Sequence, residues 1–251
     1  MQEKESKENE EETKEKEISS VMKNNNLSKE LLLAENSISS NFPILVFSGE
    51  INMNHNCLKK IVIEGNIGAG KTTILNSISS NFNKQFEPVE KFTILESFYK
   101  DPFKYANDLQ IQVADVHLEV EKTHSIPTIF ERTIETSINI FAKMALDDKM
   151  ITSSQFEELE KKLNDSTPVS AFIYIDVDLD TCLERIKIRK RPGEENIQKI
   201  YLQKLKNKMD LLYDKYQSRG IPCLRIENMT GHLDEAIQMI EEFLAKLEFI
   251  N

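Results

Sequence analysis

The sequence has few cysteines, and their spacing excludes two kinds of protein. Its 251 residues contain 3 cysteines, which lie far apart at Cys57, Cys182 and Cys223. They form no CxxC pair and no cluster with histidine, which argues against a disulfide scaffold and against a structural zinc site. A reducing compartment suits this pattern best, and the N-terminus has neither the apolar run of a secretory signal nor the acid-poor composition of a transit peptide. The predicted location is therefore cytoplasmic, with the nucleus as the open alternative.

Two further absences exclude whole classes of partner. No run of apolar residues approaches the roughly 18–20 that a membrane-spanning helix needs, so we expect no membrane partner. Acidic residues outnumber basic ones by 42 to 32, for a net charge of −10. A general nucleic-acid-binding protein usually carries a basic stripe, so we expect no nucleic-acid partner. A local basic site for a small phosphate-bearing ligand is still compatible with this charge.

The chain opens with a segment that has almost no apolar side chain. Residues 1–17 hold eight Glu and four Lys, and Met1 is their single apolar residue. Such a segment cannot bury enough surface to offset the entropy of ordering it, so disorder is predicted over at least residues 1–25. We interpret residues 1–56 as an acidic N-terminal extension and residues 57–251 as one domain.

The character of the sequence changes at Lys59, where short apolar runs begin to alternate with longer segments of helical periodicity. The apolar runs, which predict β-strands, are residues 60–64, 128–130, 171–177 and 222–226. The helical segments are residues 71–82, 103–124, 133–149, 154–163, 179–190, 197–218 and 232–248. Apolar strands that alternate with helices indicate an α/β fold in which helices cover both faces of a parallel sheet.

A glycine-rich segment follows the first predicted strand and leads directly into a predicted helix. Residues 65–72 read GNIGAGKT, which matches the nucleotide-binding pattern G-x-x-x-x-G-K-[ST] without a gap. Glycines let several backbone N–H groups point at phosphate oxygens, and the helix start adds partial positive charge. Lys71 can then reach the β- and γ-phosphates, and the Thr72 hydroxyl can bind Mg²⁺. The residues predicted to hold ATP or GTP are Gly65, Asn66, Ile67, Gly68, Ala69, Gly70, Lys71, Thr72 and Thr73.

Four further motifs follow the glycine-rich loop in a fixed order. They are Glu87-Pro88-Val89, Tyr99-Lys100-Asp101-Pro102, Glu131-Arg132-Thr133, and an arginine-rich stretch from Arg185 to Arg191 that leads to Glu194. Together with the loop, this ordered set resembles the deoxyribonucleoside kinase family, which includes deoxycytidine, deoxyguanosine and mitochondrial thymidine kinases and the insect multisubstrate enzyme. The resemblance implies a three-layer P-loop kinase fold with a central parallel β-sheet flanked by helices and a short lid. It also implies ATP-dependent phosphorylation of the 5′-hydroxyl of a deoxyribonucleoside.

The resemblance gives each matching residue near the transferred phosphoryl group a role. Glu87 would accept the proton of the 5′-hydroxyl, and Arg132 would hold Glu87 and add positive charge. Thr72 and Glu131 would bind Mg²⁺, directly or through water. These roles suit a loose transition state, for which an enzyme mainly positions the reactants and neutralises charge.

The arginine-rich stretch would form the lid. It reads RIKIRKR in an otherwise acidic chain, and guanidinium groups suit phosphate oxygens. Pro192-Gly193 would break the preceding helix and supply a hinge for closure. The predicted catalytic residues are Lys71, Glu87, Arg132, Arg185, Arg189 and Arg191.

A second group of matching residues would bind the nucleoside. Tyr99 and Glu194 would bind the 3′-hydroxyl, with Glu195 as the alternative to Glu194, and Tyr99 would crowd a 2′-hydroxyl. Gln110 would read the edge of the base with its amide, and Phe141 would stack on the base. The whole predicted substrate-binding set is Glu87, Phe92, Tyr99, Gln110, Val113, His117, Arg132, Ser137, Phe141 and Glu194.

Two positions of the expected base pocket depart from part of the family. Members that prefer purines or cytidine pair an Arg with an Asp there, whereas this chain has His117 and Ser137, with Val113 nearby. Loss of the charged pair resembles the thymidine-preferring and multisubstrate members, so we predict a preference for pyrimidines. The resemblance also implies a homodimer.

Two other functions are open at this point. Thymidylate-type nucleoside monophosphate kinases share the loop and the lid, yet they need a cationic group for the acceptor's own phosphate, and residues 86–89 contain no arginine. A non-catalytic structural member of the same fold should have lost loop or base residues, whereas Lys71, Thr72 and Glu87 are present. We therefore expect an enzyme whose partners are two small molecules, ATP and a deoxynucleoside.

Overall fold

The core of the fold is a five-stranded parallel β-sheet. The structure is a computed structural model that describes residues 59–125, 127–227 and 232–248. The predicted N-terminal extension, residues 1–56, lies outside the described residues, so its disorder and the domain boundary stay predictions. The described strands are β1 (Lys60–Gly65), β2 (Asn83–Gln85), β3 (Thr128–Glu131), β4 (Ala171–Asp176) and β5 (Cys223–Glu227).

The order of the strands places the glycine-rich loop at a natural ligand site. The strands lie in the order β2-β3-β1-β4-β5, and each neighbouring pair is parallel. The chain builds β2 and β3 on one side of β1 and then crosses to β4 on the other side. Ligands of such sheets bind beyond the carboxyl ends of the strands, where the strand order reverses. The loop leaves β1 at this place.

Helices flank the sheet. They are α1 (Lys71–Ser77), α2 (Leu95–Lys100), α3 (Pro102–Lys122), α4 (Ile134–Thr136, a π-helical turn at Ser137–Ala142, and Lys143–Asp147), α5 (Ser153–Lys161), α6 (Leu179–Arg189), α7 (Lys199–Ser218) and α8 (Leu233–Glu248). Buried apolar side chains of α1, α7 and α8 join those of the strands in one core cluster, and α3, α4 and α5 share a second cluster. No described helix combines the length and the apolarity that a membrane span requires.

Side chains alternate between the two faces of β1, because successive residues of a strand point in opposite directions. Ile61 and Ile63 are fully buried on one face. Lys60, Val62 and Glu64 point to the other face, and Lys60 contacts Glu121 of α3 and Glu135 of α4 there. The central strand thus carries two buried charges on one face, one at each end.

Capping side chains explain where several helices begin. Asp101 accepts a hydrogen bond from the Lys104 amide before α3, and Pro102 occupies the first turn, where its missing N–H is not needed. Thr152 and Gln155 form a reciprocal capping box at the start of α5. Asp178 caps α6, which carries the first lid arginines.

The predicted α/β fold with a central parallel sheet is confirmed, with two elements missed and one shortened. β2 reads Asn-Lys-Gln and pairs only with β3 at the sheet edge, so it carries no apolar signal. α2 is a short helix with no fully buried residue. The helix predicted over residues 71–82 ends at Ser77, because Ile78 adopts an extended backbone with ψ 132°.

Candidate active site

A cavity of about 870 Å³ opens beside the carboxyl ends of β1 and β3. Almost all of the predicted site residues line its wall. The exceptions are Gly65, Asn66 and His117, which lie behind the wall. Segments that are far apart in the sequence therefore meet around one space.

The conformation of the glycine-rich loop depends on residues that lack a side chain. Gly68 and Gly70 have φ angles of +81° and +93°, a region that other residues rarely adopt. A Cβ atom at Gly68 would lie 2.5 Å from the carbonyl oxygen of Cys182 in α6. The loop and α6 therefore pack too closely for any other residue at position 68.

Two of the residues behind the wall support the loop. The Asn66 side chain donates to the Leu202 carbonyl of α7 at 2.9 Å and accepts from the Ile67 amide at 2.9 Å. A Cβ atom at Gly65 would lie 2.6 Å from the Ile175 carbonyl of β4. Asn66 and Gly65 thus fix the loop against its neighbours, and their side-chain positions do not face the cavity.

Two cations already lie against the loop. Lys71 Nζ donates to the carbonyl oxygens of Gly65 and Asn66 at 3.0 and 3.1 Å. Arg185 Nη1 donates to the Ala69 carbonyl at 3.1 Å. Burial and, next, the charge of Arg132 lower the pKa of Lys71 to about 8. A bound phosphate would therefore stabilise the protonated form of Lys71.

Arg132 joins two glutamates beside the loop. Its Nε lies 3.3 Å from Glu87 Oε2, and its Nη1 lies 3.0 Å from Glu64 Oε1. Its Nη2 donates to the Gly65 carbonyl at 3.2 Å. Arg132 has a left-handed backbone with φ 61°, a strained conformation that occurs preferentially at functional sites. The predicted pair of Glu87 and Arg132 is in contact beside the loop.

Glu87 is partly buried in this cluster. Burial raises the pKa of its carboxyl group, whereas the positive charges of Arg132 and Lys71 lower it. A carboxylate with a raised pKa is a better proton acceptor than one in water, provided that nearby cations keep it ionised.

The other end of the loop places two oxygen donors together. The Thr72 hydroxyl donates to both carboxylate oxygens of Glu131, at 2.7 and 2.9 Å. Glu131 ends β3 and is 5% exposed. Hydroxyl and carboxylate oxygens are the ligands that Mg²⁺ prefers, so these two residues fit a magnesium site.

The lid arginines contact a glutamate of the same segment. α6 ends at Arg189, where Lys190 takes the left-handed conformation with φ 51°, so the helix ends before Pro192. Arg189 Nη2 lies 2.7 Å from Glu194 Oε2, and Arg191 Nη1 lies 3.5 Å from Glu194 Oε1. Glu194 is buried and lines the cavity, whereas Glu195 is exposed. Of the two alternatives, Glu194 is therefore the one that faces the site.

The lid also contacts the predicted sugar-binding tyrosine. Gly193 has φ +88°, and a Cβ atom there would lie 2.3 Å from the Tyr99 ring. Tyr99 lines the cavity from α2. The turn after α6 and the tyrosine thus pack directly on each other.

The predicted base pocket lies along α3 and α4. Gln110, Val113, Ser137 and Phe141 line the cavity, and the Phe141 ring centre is 4.9 Å from the Arg132 guanidinium carbon. Ser137 and Phe141 belong to the π-helical turn of α4, and such turns are frequent at functional sites.

His117 lies behind the predicted base pocket. Its ring centre is 5.9 Å from that of Phe92, which lines the cavity. Burial, followed by the charges of Arg132 and Lys60, lowers the pKa of His117 to about 3. In the described part of the chain its Nε2 has no hydrogen-bond partner. The imidazole is therefore neutral at ordinary pH.

Comparison with known proteins agrees with this geometry. A family profile described as deoxynucleoside kinase matches residues 61–249. The chain belongs to the deoxynucleoside kinase family.

Individual members of the family match over most of this kinase. Deoxyadenosine kinase from Dictyostelium discoideum is 32% identical over 203 residues, which cover 76% of this chain and 81% of that protein. Human deoxycytidine kinase is 22% identical over 240 residues, covering 76% and 92%. A solved structure of deoxyadenosine kinase from M. mycoides with bound dCTP has a TM-score of 0.65 and 25% identity, and covers 74% of this chain and 99% of that one.

Membership decides between the functions that the sequence left open. This kinase is an ATP-dependent phosphotransferase that acts on deoxynucleosides, with a P-loop kinase fold. The monophosphate kinase alternative is not favoured.

One buried group of this deoxynucleoside kinase was not predicted from the sequence. Glu64 is fully buried and contacts Arg132. The sequence feature that could have pointed to Glu64 is an acidic residue within the apolar strand KIVIEG, because a charge there requires a buried partner. Apolar residues that line the cavity without a prediction are Ile74, Phe86, Val89, Leu95, Leu109 and Leu233.

Proposed function

We propose that Glu87 is the general base of phosphoryl transfer from Mg·ATP to the 5′-hydroxyl of a deoxynucleoside. The observation that carries this proposal is the contact of Glu87 with Arg132 beside the glycine-rich loop, at 3.3 Å. Glu87 accepts the proton of the 5′-hydroxyl as the hydroxyl oxygen attacks the γ-phosphorus, and the bond from that phosphorus to the bridging oxygen breaks to release ADP. Arg132 keeps Glu87 ionised and orients it towards the cavity.

Several cations of the chain are placed to neutralise charge on the transferred group. Lys71 and Arg185 lie against the loop, and Arg189 and Arg191 also line the cavity. Because the transition state is loose and its charge is spread over phosphoryl oxygens, positioned cations account for much of the rate enhancement.

We assign the magnesium site to Thr72 and Glu131. Their hydroxyl and carboxylate oxygens lie within 2.7 Å of each other and line the cavity. Mg²⁺ bound there would neutralise charge on the β- and γ-phosphate oxygens.

The sugar site is assigned to Tyr99 and Glu194. Glu194 is ion-paired with Arg189 and Arg191. Phosphate oxygens would compete with Glu194 for these guanidinium groups, which leaves the carboxylate for the 3′-hydroxyl. Tyr99, fixed against Gly193, leaves little room for a 2′-hydroxyl.

We infer a preference for pyrimidines from the base pocket. A neutral His117 and a small Ser137 stand where an Arg and an Asp would form a charged pair, and Gln110 and Phe141 supply the amide edge and the stacking ring. The test is the double variant His117→Arg with Ser137→Asp. It should raise the ratio of kcat/KM for deoxycytidine and purine deoxynucleosides to that for thymidine by at least about tenfold. An unchanged ratio would contradict the inference.

A homodimer and a cytoplasmic location complete the proposal. The dimer is inferred from family resemblance, and the location from widely spaced cysteines. Light scattering and fluorescence microscopy of a tagged chain test the two statements.

The mechanism is tested by one assay with one variant pair. Purified protein is incubated with ATP, Mg²⁺ and, separately, each of four deoxynucleosides and dTMP. Glu87→Gln should reduce kcat by roughly two to four powers of ten with little change in ATP binding. The matched control is Glu157→Gln, an exposed glutamate of α5 that does not line the cavity, which should keep wild-type turnover. Wild-type kcat in Glu87→Gln, or product from dTMP alone, would remove the proposal.

A further inference from the structure

The structure assigns a role to Glu64: we propose that this buried carboxylate is a positioning residue that holds Arg132 away from full pairing with Glu87. Glu87 then stays available to the acceptor hydroxyl. This inference rests on the proposed role of Glu87 and extends it to a residue that does not line the cavity.

The place of Glu64 in the central strand leaves its side chain little freedom to move. It is the residue before Gly65 at the end of β1, the central strand. It pairs in register with Tyr174 of β4, and it is 0% exposed. A side chain anchored by two neighbouring strands has little freedom to move, so its charge is fixed in space.

The hydrogen bonds of Glu64 are incomplete. Oε1 accepts from the Gly65 amide at 2.8 Å and lies 3.0 Å from Arg132 Nη1. Among the described residues, neither Glu64 Oε2 nor Arg132 Nη1 has a hydrogen-bond partner. The contact between Glu64 and Arg132 is therefore mainly a charge interaction, which is strong at this burial.

Arg132 divides its guanidinium between two carboxylates. Nε faces Glu87, Nη1 faces Glu64, and Nη2 bonds the Gly65 carbonyl. A free Arg–carboxylate pair tends to become bidentate, with two parallel hydrogen bonds. Because Nη2 bonds the Gly65 carbonyl and the charge of Glu64 holds Nη1 on its own side, Arg132 reaches Glu87 through Nε alone.

The charges around the base show why this division matters. Lys71 and Arg132 are the cations that act on Glu87, and Glu64 and Glu131 are the anions. Without the charge of Glu64, the two cations would act on Glu87 with less opposition. Glu87 would bind a proton more weakly and would be drawn into a bidentate pair, so it would be a poorer base.

The test compares Glu64→Gln with Glu121→Gln. Both glutamates are buried, and Glu121 is bonded to Lys60 at the opposite end of β1. Glu64→Gln should lower kcat by roughly 10- to 100-fold, with KM for ATP changed less than about threefold. It should also move the acid limb of the pH–kcat profile to lower pH. Glu121→Gln should lower Tm and leave kcat and the pH profile of the folded protein unchanged.

Glu64→Asp is the second variant, and it decides the question if Glu64→Gln does not fold. It keeps the charge and draws it back by one methylene, so kcat should fall by only about two- to tenfold and the acid limb should stay in place. Wild-type kcat in either Glu64 variant would overturn the inference. The same holds if activity is lost in proportion to the folded fraction while the pH profile is unmoved. If instead the proposed role of Glu87 is wrong, Glu87→Gln would keep its activity, and this result distinguishes the two failures.

Discussion

The two ends of β1 carry buried charges that differ in how completely they are hydrogen-bonded. At the amino end, Lys60 is 1% exposed, and its Nζ donates to Glu121 at 2.5 Å, to Glu135 at 2.7 Å and to Ser166 at 2.8 Å. At the carboxyl end, Glu64 is 0% exposed, and one of its oxygens has no partner in the described part of the chain.

The difference shows how a buried charge can serve structure or chemistry. The ammonium group of Lys60 has three donors and three partner residues, so it joins β1 to α3, to α4 and to Ser166 with all of its donors used. A fully bonded network of this kind rigidifies a core. Glu64 and Arg132 keep unused hydrogen-bonding capacity next to the cavity, which is expected of a site that must rearrange around a ligand.

The largest expected effect comes from breaking the hydrogen-bond network of Lys60 at the amino end of β1. Lys60→Met leaves the carboxylates of Glu121 and Glu135 without their cation, so the free energy of unfolding should fall by about 3–5 kcal/mol. Urea denaturation measures this loss, and kcat of the folded fraction should equal that of wild type. Lys59→Met is the control, since Lys59 is exposed. A large loss of kcat per folded molecule would abolish the contrast between the two ends.

The next effect concerns the carboxyl end. Arg132→Lys keeps a positive charge, but a single ammonium group cannot face Glu64, Glu87 and the Gly65 carbonyl in the geometry of a guanidinium fork. We expect kcat to fall about 100-fold, or about 2.7 kcal/mol in activation free energy. Steady-state kinetics and a melting curve measure the change, and Tm should fall less than in Lys60→Met. A fall in Tm larger than that of Lys60→Met, together with wild-type kcat in the folded protein, would reverse the assignment of roles.

A smaller effect is expected from His117. Its pKa is lowered by burial and by one cation near each end of β1, Arg132 and Lys60. Its pKa in the folded protein is about 3, below the 6.5 of a free histidine, so the unfolded chain binds the extra proton. Stability should therefore fall as the pH drops below 6.5, by roughly 2 kcal/mol between pH 7 and pH 5. His117→Gln should remove this part of the decline in urea titrations, and the two proteins should have parallel curves between pH 7 and pH 8. An equal acid decline in both would contradict the expectation.

The smallest expected effect is the uptake of a fraction of a proton by Lys71 when Mg·ATP binds at the carboxyl end of β1. Lys71 has a pKa of about 8 in the unliganded protein, and a bound triphosphate should raise it. Binding of Mg·ATP at pH 8 should therefore take up about 0.5 proton. Calorimetry in buffers of different ionisation enthalpy measures this number. At pH 6.5 the uptake by Lys71 should vanish, because the lysine is already protonated.

The fold could be predicted where burial leaves a pattern in the sequence. β1, β3, β4 and β5 contain apolar runs and were predicted within one or two residues at each end. β2 could not be, because an edge strand reading Asn-Lys-Gln has nothing to bury. The π-helical turn of α4 was also missed, since a single turn with i→i+5 hydrogen bonds is too short to leave a periodicity of its own in the sequence.

The site could be predicted where a local motif fixes the geometry. The loop at residues 65–73 follows from its own motif, whereas the contact of Glu87 with Arg132 was predicted from the resemblance to the family. Glu64 was missed because a charge in a strand shows neither its depth nor its partner until the sheet is assembled. His117 shows the reverse case, since the resemblance to the family predicted it in the base pocket, yet it lies behind Phe92, which lines the cavity.

The absence of a side chain at Gly193 links two parts of the enzyme that engineers would otherwise change separately. The Tyr99 ring occupies the space that a methyl group at 193 would need. On the proposed role of Tyr99 in sugar binding, replacing it with a smaller residue to admit ribonucleosides also empties the volume beneath the lid turn. Because position 193 has φ +88°, where any side chain is strained, a redesign of sugar selectivity should keep Gly193 and refill that volume from other positions.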